Sequence, residues 1–172
     1  MLIDFLISKD GVRVEHVEVA VSGLRLGRSS SGFVPRAADE LTGTLRISLA
    51  DLSAAISRPE LVDQLLGGIP GLARPEFRLV NGDDGGIRIV GSVEMFGRRV
   101  PITTSTRIRV AKSRLVISPV QVQGLPLVGA IPIPDLELPI DLPYGLAFTD
   151  VTTEPGRLVL AFAGSDLSFD PS

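Results

Sequence analysis

The chain has no cysteine, no tryptophan, one histidine and one tyrosine. Without cysteine there is no disulfide framework, no thiolate metal site and no thiol nucleophile. That absence suits an oxidising and a reducing compartment equally. Aromatic residues are 5% of the 172 residues, against 44% hydrophobic. The interior must therefore be built from Leu, Ile, Val and Ala. An excess of one charge is missing too: 17 basic and 20 acidic residues leave −3. Such a balance argues against a nucleic-acid partner. No uninterrupted apolar run approaches the roughly 18 residues of a membrane span. The opening MLIDFLISKDG has its apolar run broken by Asp4 and Lys9 and no basic leader, so it does not read as a signal peptide. The length points to a single domain, 1–172, with a real core.

What is present is alternation with period two, the mark of a β protein. In VRVEHVEVAV (12–21), Val12 and Val14 hold one parity and Val17, Val19 and Val21 the other. A β-bulge at Glu15–His16 would produce that slip. GRSSSGFVPRAADE (27–40) is polar and Gly/Ser-rich and reads as a mobile surface loop. TLRISL (44–49) alternates again. ADLSAAI (50–56) then reads as a short helical stretch and SRPELVDQLLGG (57–68) as a helix. Ser57 and Glu60 have capping-box spacing, Pro59 sits in the first turn, and Leu61, Val62, Leu65 and Leu66 form a stripe.

A turn at Gly97–Arg98 sets Met95 against Val100 and Val93 against Ile102. A second turn at Lys112–Ser113 sets Val110 against Leu115 and Ile108 against Ile117. Both place the same residues inward, so 87–95, 100–110 and 115–122 form a meander. FRLV (77–80) joins it through the NGDDGG loop. A last hairpin turns at Pro155–Gly156, and RLVLAFAG (157–164) is free of charge on both faces after Arg157. A strand apolar on both sides must be covered twice, or must line something that water does not fill.

The stretch GLPLVGAIPIPDLELPIDLPYGLAF (124–148) is greasy yet punctuated by Pro126, Pro132, Pro134, Pro139 and Pro143. Proline donates no backbone hydrogen bond, so helix interiors and central strands are closed to it. From Asp135 to Tyr144 the alternation is that of an edge strand. The part before it can floor an apolar cavity or can be a crossover packed on the core.

Catalytic signatures are missing. There is no GxSxG, P-loop, HExxH or EF-hand loop. His16 has no serine or carboxylate motif around it, and Asp83–Asp84 lie in a Gly-rich strand connection without calcium-loop spacing. Asp135 and Glu137 are explained as solvated edge charges. Arginine suits bidentate contact with phosphate, and Arg98–Arg99 sit together at a hairpin tip.

In order along the chain, TGTLRISLADLSAAI (42–56), GRRVPITTSTRIRVAKSRLVISPVQVQGLPL (97–127) and LPIDLPYGLAFTDVTTEPGRLVLAFAGSDLSF (138–169) form a specific set. A Gly-Arg turn enters a Val-Pro strand. A Leu-Val-Ile-Ser-Pro strand, a Gly-Leu-Pro-Leu element, Leu-Pro-Tyr-Gly-Leu and a closing Gly-Arg-Leu hairpin follow. This set resembles the actinobacterial LmeA-like phospholipid-binding family over roughly 12–26 and 42–169. The resemblance implies a lipid-binding module of the cell envelope or periplasm. It also implies an α+β, mostly β fold, a strongly twisted antiparallel sheet curling around one or two short helices, with an apolar groove similar to tubular lipid-binding domains. Family members usually begin with an export signal or anchor and an N-terminal helix, which this sequence does not display. They also often carry a helix where the prolines between Gly124 and Pro143 exclude a long one.

The resemblance and the composition meet in one mechanism. An acyl chain entering an apolar groove gains about 0.8 kcal/mol per methylene. The candidate walls are Leu125, Leu127, Ile131, Ile133, Leu136, Leu138, Phe148, Val159, Ala161 and Ala163, with Arg98 and Arg99 for the head-group phosphate. No catalytic group, metal or cofactor is needed. The expected partner is phospholipid or another envelope lipid, with a membrane surface as a further partner and no nucleic acid. The alternative reading is a β-rich protein-interaction module using the Pro-rich edge 124–143. A hydrolase acting on an envelope lipid through His16 is a third.

Overall fold

The computed structural model describes residues 12–30, 32–66, 72–123 and 134–169, without the side chains at 64–66, 72–74 and 121–123. Ten strands and two helices follow in order: β1 (His16–Ser22), β2 (Arg25–Ser29), β3 (Gly32–Ser48), α1 (Leu49–Ile56), α2 (Pro59–Leu66), β4 (Leu72–Asn81), β5 (Ile87–Met95), β6 (Arg98–Ala111), β7 (Arg114–Gln123), β8 (Leu136–Pro139), β9 (Ala147–Glu154) and β10 (Arg157–Ser168). They build two five-stranded antiparallel sheets. One has the order β1-β3-β10-β9 with β2 added to β3, and the other is the meander β4-β5-β6-β7-β8. Among the described residues the fold is mostly β with two short helices, as the alternation and the resemblance imply.

One core joins both sheets. Leu45, Ile47, Leu158, Leu160 and Phe162 come from the first sheet, Leu79, Ile87, Ile89, Leu115, Ile117 and Leu136 from the second, and Leu52, Ala55 and Ile56 from α1. These are the inward positions of the alternating runs. Hydrogen bonds tie the sheets together as well. The Asn81 side chain donates through Nδ2 to Glu154 O at 3.2 Å and accepts at Oδ1 from Gly156 N–H at 2.7 Å. Phe148 N–H, from β9, donates to Lys112 O at the β6–β7 turn at 2.8 Å. The described residues do not show the expected apolar groove between the sheets.

Several local expectations hold. The Lys112–Ser113 turn sets Val110 against Leu115 and Ile108 against Ile117. Pro155–Gly156 closes the last hairpin, with Arg157 opposite Glu154. The slip near His16 is real: Glu15 N–H donates to Arg46 O, while His16 is the register partner of Arg46. Two residues thus oppose one, as in a bulge.

Others need correction. The β5–β6 turn is Phe96–Gly97, with φ of 49° and 77°, so Val93 faces Val100 and Gly91 faces Ile102. A two-residue turn with both centres at positive φ puts glycine second, not first. The register moves by two residues, which preserves every face. Of segment 27–40, expected as a loop, Gly27–Ser29 and Gly32–Glu40 are strand: Arg28 pairs Phe33 and Gly27 pairs Val34. The serine Ser29 is itself a strand residue, in register with Gly32. The edge strand expected over 135–144 is only Leu136–Pro139. Beyond it, Pro143–Gly145 is a single 3-10 turn with Tyr144 at φ 59°. Ser57 does not cap α2. It closes α1, its hydroxyl donating to Ser53 O at 2.8 Å. The N-cap is Ser48, whose Oγ accepts from Asp51 N–H at 2.9 Å. Strand β4 starts earlier than Phe77, with a register shift between Ala73 and Glu76 that absorbs Pro75.

Candidate functional site

The expected wall residues fall into three groups. Leu125, Leu127, Ile131 and Ile133 lie outside the described residues. Leu136, Leu138 and Phe148 are brought together in the common core, at 0%, 3% and 6% exposure. Val159, Ala161 and Ala163 are half-buried on the other face of β10. There they stand beside Arg46, Thr44 and Thr42 of β3, their register partners. The apolar character of 157–164 therefore has two separate uses. Leu158, Leu160 and Phe162 fill the core, and the small residues form an outer surface.

Arg98 and Arg99 are both exposed, but they do not converge. Neighbouring strand residues point to opposite faces, and Arg98 pairs across the sheet with Met95 while Arg99 pairs with Glu94. Arg99 is engaged on Glu76, and its Nε donates to Ser92 Oγ at 2.8 Å. The meander's outer face carries a similar arrangement further along: Arg109 meets Asp135 at 2.7 Å and Arg114 meets Glu137.

Among the described residues, the titratable side chains the sequence singles out do not converge. His16 Nε2 is 3.1 Å from Glu18 Oε1, with both side chains more than half exposed. Asp83 pairs with Arg88 at 3.2 Å, and Asp84 accepts from Gly86 N–H at 3.1 Å. These carboxylates order the NGDDGG turn. Among the described residues no group of three His, Asp or Glu side chains is arranged to hold a metal ion.

The surface feature that sequence reasoning missed is on the first sheet. Val19, Val21, Leu24, Leu26 and Phe33 are exposed by 40%, 43%, 49%, 56% and 71%. They follow one another along β1, β2 and the start of β3. Strands β1 and β2 run in succession along one edge of β3, separated at Gly23, while β10 accompanies β3 only as far as Ala37. Past that point the sheet is a two-stranded ribbon. The signal was in the sequence: GLRLGR and GFVPR flank three serines, two short runs around a polar turn.

A family model of LmeA-like phospholipid-binding proteins matches residues 4–163. That span takes in both sheets and both helices, and the chain belongs to this family of phospholipid-binding proteins. No curated protein and no solved structure gives a significant match.

Proposed function

We propose that the protein binds and carries phospholipid of the cell envelope without chemical change to it. The observation that carries this reading is the family match over residues 4–163. The aliphatic composition supports it, because apolar walls alone suffice to hold an acyl chain. A chain of about 15 methylenes gains on the order of 12 kcal/mol gross before ordering costs. We assign the chain to the 124–148 segment, with Leu125, Leu127, Ile131 and Ile133 as its lining and Leu136, Leu138 and Phe148 as its floor. Val159, Ala161 and Ala163 form a second, shallower apolar surface. Nothing in this mechanism calls for a proton donor, a nucleophile or a cofactor.

The test is native mass spectrometry of the folded protein, followed by solvent extraction and lipid analysis. A carrier shows an adduct of phospholipid mass, or acquires one from vesicles. A protein that stays lipid-free after incubation with vesicles refutes the proposal. Recovery of lysophospholipid or free fatty acid in its place refutes the non-enzymatic part alone.

A further inference from the structure

We propose that the β2–β3 ribbon is the part of the protein that enters the surface of an anionic phospholipid membrane. Leu26 and Phe33 sit at the acyl boundary and Arg28 among the phosphates. The proposal deepens the lipid-carrying reading and rests on it.

Four observations support this. The first is exposure: among the described residues, five of the eight large apolar side chains that stand exposed are Val19, Val21, Leu24, Leu26 and Phe33. The second is facing. Leu26 is the register partner of Pro35, and Arg28 of Phe33. Directly opposed residues share a face, so one side of the ribbon presents Leu26, Pro35, Phe33 and Arg28 together. The third is charge. From Leu24 to Ala38 there are three arginines, Arg25, Arg28 and Arg36, and no acid, in a chain whose net charge is −3; Arg25, at the base of the ribbon, pairs with Asp39 at 3.0 Å, so Arg28, toward the tip, is the cation offered to phosphate. The fourth is the Arg28 guanidinium, which lies 5.9 Å from the Phe33 ring centroid. An aromatic ring with a cation beside it suits the boundary between acyl chains and phosphates.

The ribbon's topology fits shallow entry and not a span. Among the described residues β2 is an edge strand, pairing with β3 alone, and an edge's open backbone groups are not tolerated by hydrocarbon but are by the hydrated headgroup layer. Charge also selects the occupant. A second copy placed symmetrically on this ribbon would set its arginines against the same arginines. An anionic bilayer complements them and accepts the apolar side chains as well.

The absence of native tryptophan supplies the probe. Phe33→Trp and, at the β5–β6 turn of the other sheet, Phe96→Trp each give a protein with one tryptophan. Each is titrated with vesicles of phosphatidylcholine alone and of phosphatidylcholine with phosphatidylglycerol. The Phe33→Trp emission is expected to shift to the blue, and to be quenched by brominated acyl chains, only with the anionic vesicles. Phe96→Trp is expected to stay unshifted. Leu26→Ser with Arg28→Gln, added to Phe33→Trp, is expected to weaken vesicle binding at least about tenfold. Circular dichroism of each variant confirms that it is folded. No shift at position 33, an equal shift at 96, or a blue shift that grows with protein concentration without vesicles overturns the proposal. The last outcome would mean that another protein surface covers the ribbon. A protein that retains phospholipid in native mass spectrometry yet shows no shift at 33 loses only the docking surface. One that docks but never holds lipid loses only the carrier reading.

Discussion

Strand β3 is 17 residues long and has two environments. In its second half it lies between β1 and β10, and Leu41, Leu45 and Ile47 are exposed by 3%, 0% and 0%. From Gly32 to Arg36, among the described residues, β2 is the one strand in register with it, and Phe33 is 71% exposed. The backbone conformation is the same, and both halves place apolar residues on a definite face. The difference is the layer above. The second sheet and α1 close over Leu45 and Ile47, while among the described residues nothing buries Phe33. Alternation therefore assigns a residue to a face, and only tertiary structure decides whether that face is wet.

The sharpest way to break this comparison is to truncate one apolar residue in each half. Leu45→Ala removes a side chain at 0% exposure and is expected to cost about 2–5 kcal/mol of unfolding free energy. Phe33→Ser is expected to change stability by less than about 0.5 kcal/mol, as surface substitutions do. Urea unfolding followed by circular dichroism measures both. Equal losses would mean that the first half is as buried as the second in solution.

Glycine in the covered half offers a second test. A Cβ at Gly43 would lie 2.4 Å from Glu18 O and 2.5 Å from the Phe162 ring. The carbonyl belongs to β1 and cannot rotate away, so Gly43→Ala is expected to cost about 1–3 kcal/mol through forced displacement. The same unfolding experiment measures it. A neutral result would show that β1 is free to move off β3, making the covered half less closed than its burial suggests.

How much of this was legible beforehand depends on which kind of information each feature needs. The Lys112–Ser113 register was readable because two alternating runs of fixed parity meet at a tight turn. The β5–β6 register was misjudged by two residues because Phe96 at positive φ is not an obvious turn former, yet every inward residue remained inward. The β2–β3 ribbon was hidden by composition: a Ser-rich tip made the whole of 27–40 look irregular. Ser57 and Ser48 show the same ambiguity. Each precedes an acid three residues later, and only the backbone reveals that Ser48 starts a helix while Ser57 ends one. The expected lipid wall was legible as apolar residues, but periodicity could not show that Leu158 and Val159 serve different surfaces.

Ser48 also marks where the covered half of β3 gives way to α1. Its Oγ accepts from Asp51 N–H at 2.9 Å and donates to the Asp51 carboxylate at 2.7 Å. Ser48→Ala is expected to cost about 1 kcal/mol, less than either core change. Ser48→Asp retains an N-cap acceptor but brings a second carboxylate beside Asp51, so it is expected to recover only part of that loss. Matched denaturation curves decide it, and a Ser48→Ala curve that overlays the parent would show that core packing holds the helix start without its cap.

A further small effect lies on the outer face of the meander and sharpens the comparison from the other side. Val116 points away from the core, yet it is 2% exposed. Its register partners are Arg109 and Glu137, which pair with Asp135 and Arg114. Long charged side chains cover apolar surface with their stems while their heads stay in water, so Val116 is dry where Phe33, whose register partner is Arg28, is not. If the stems do the covering, the ion pair itself matters little. Asp135→Asn is then expected to lower stability by less than about 1 kcal/mol, and the loss is expected to shrink as salt rises. Arg109→Ala, which removes stem and charge together, is expected to cost more and to keep its cost in high salt. A salt-sensitive loss of equal size in both variants would instead assign the cover of Val116 to the charge pair.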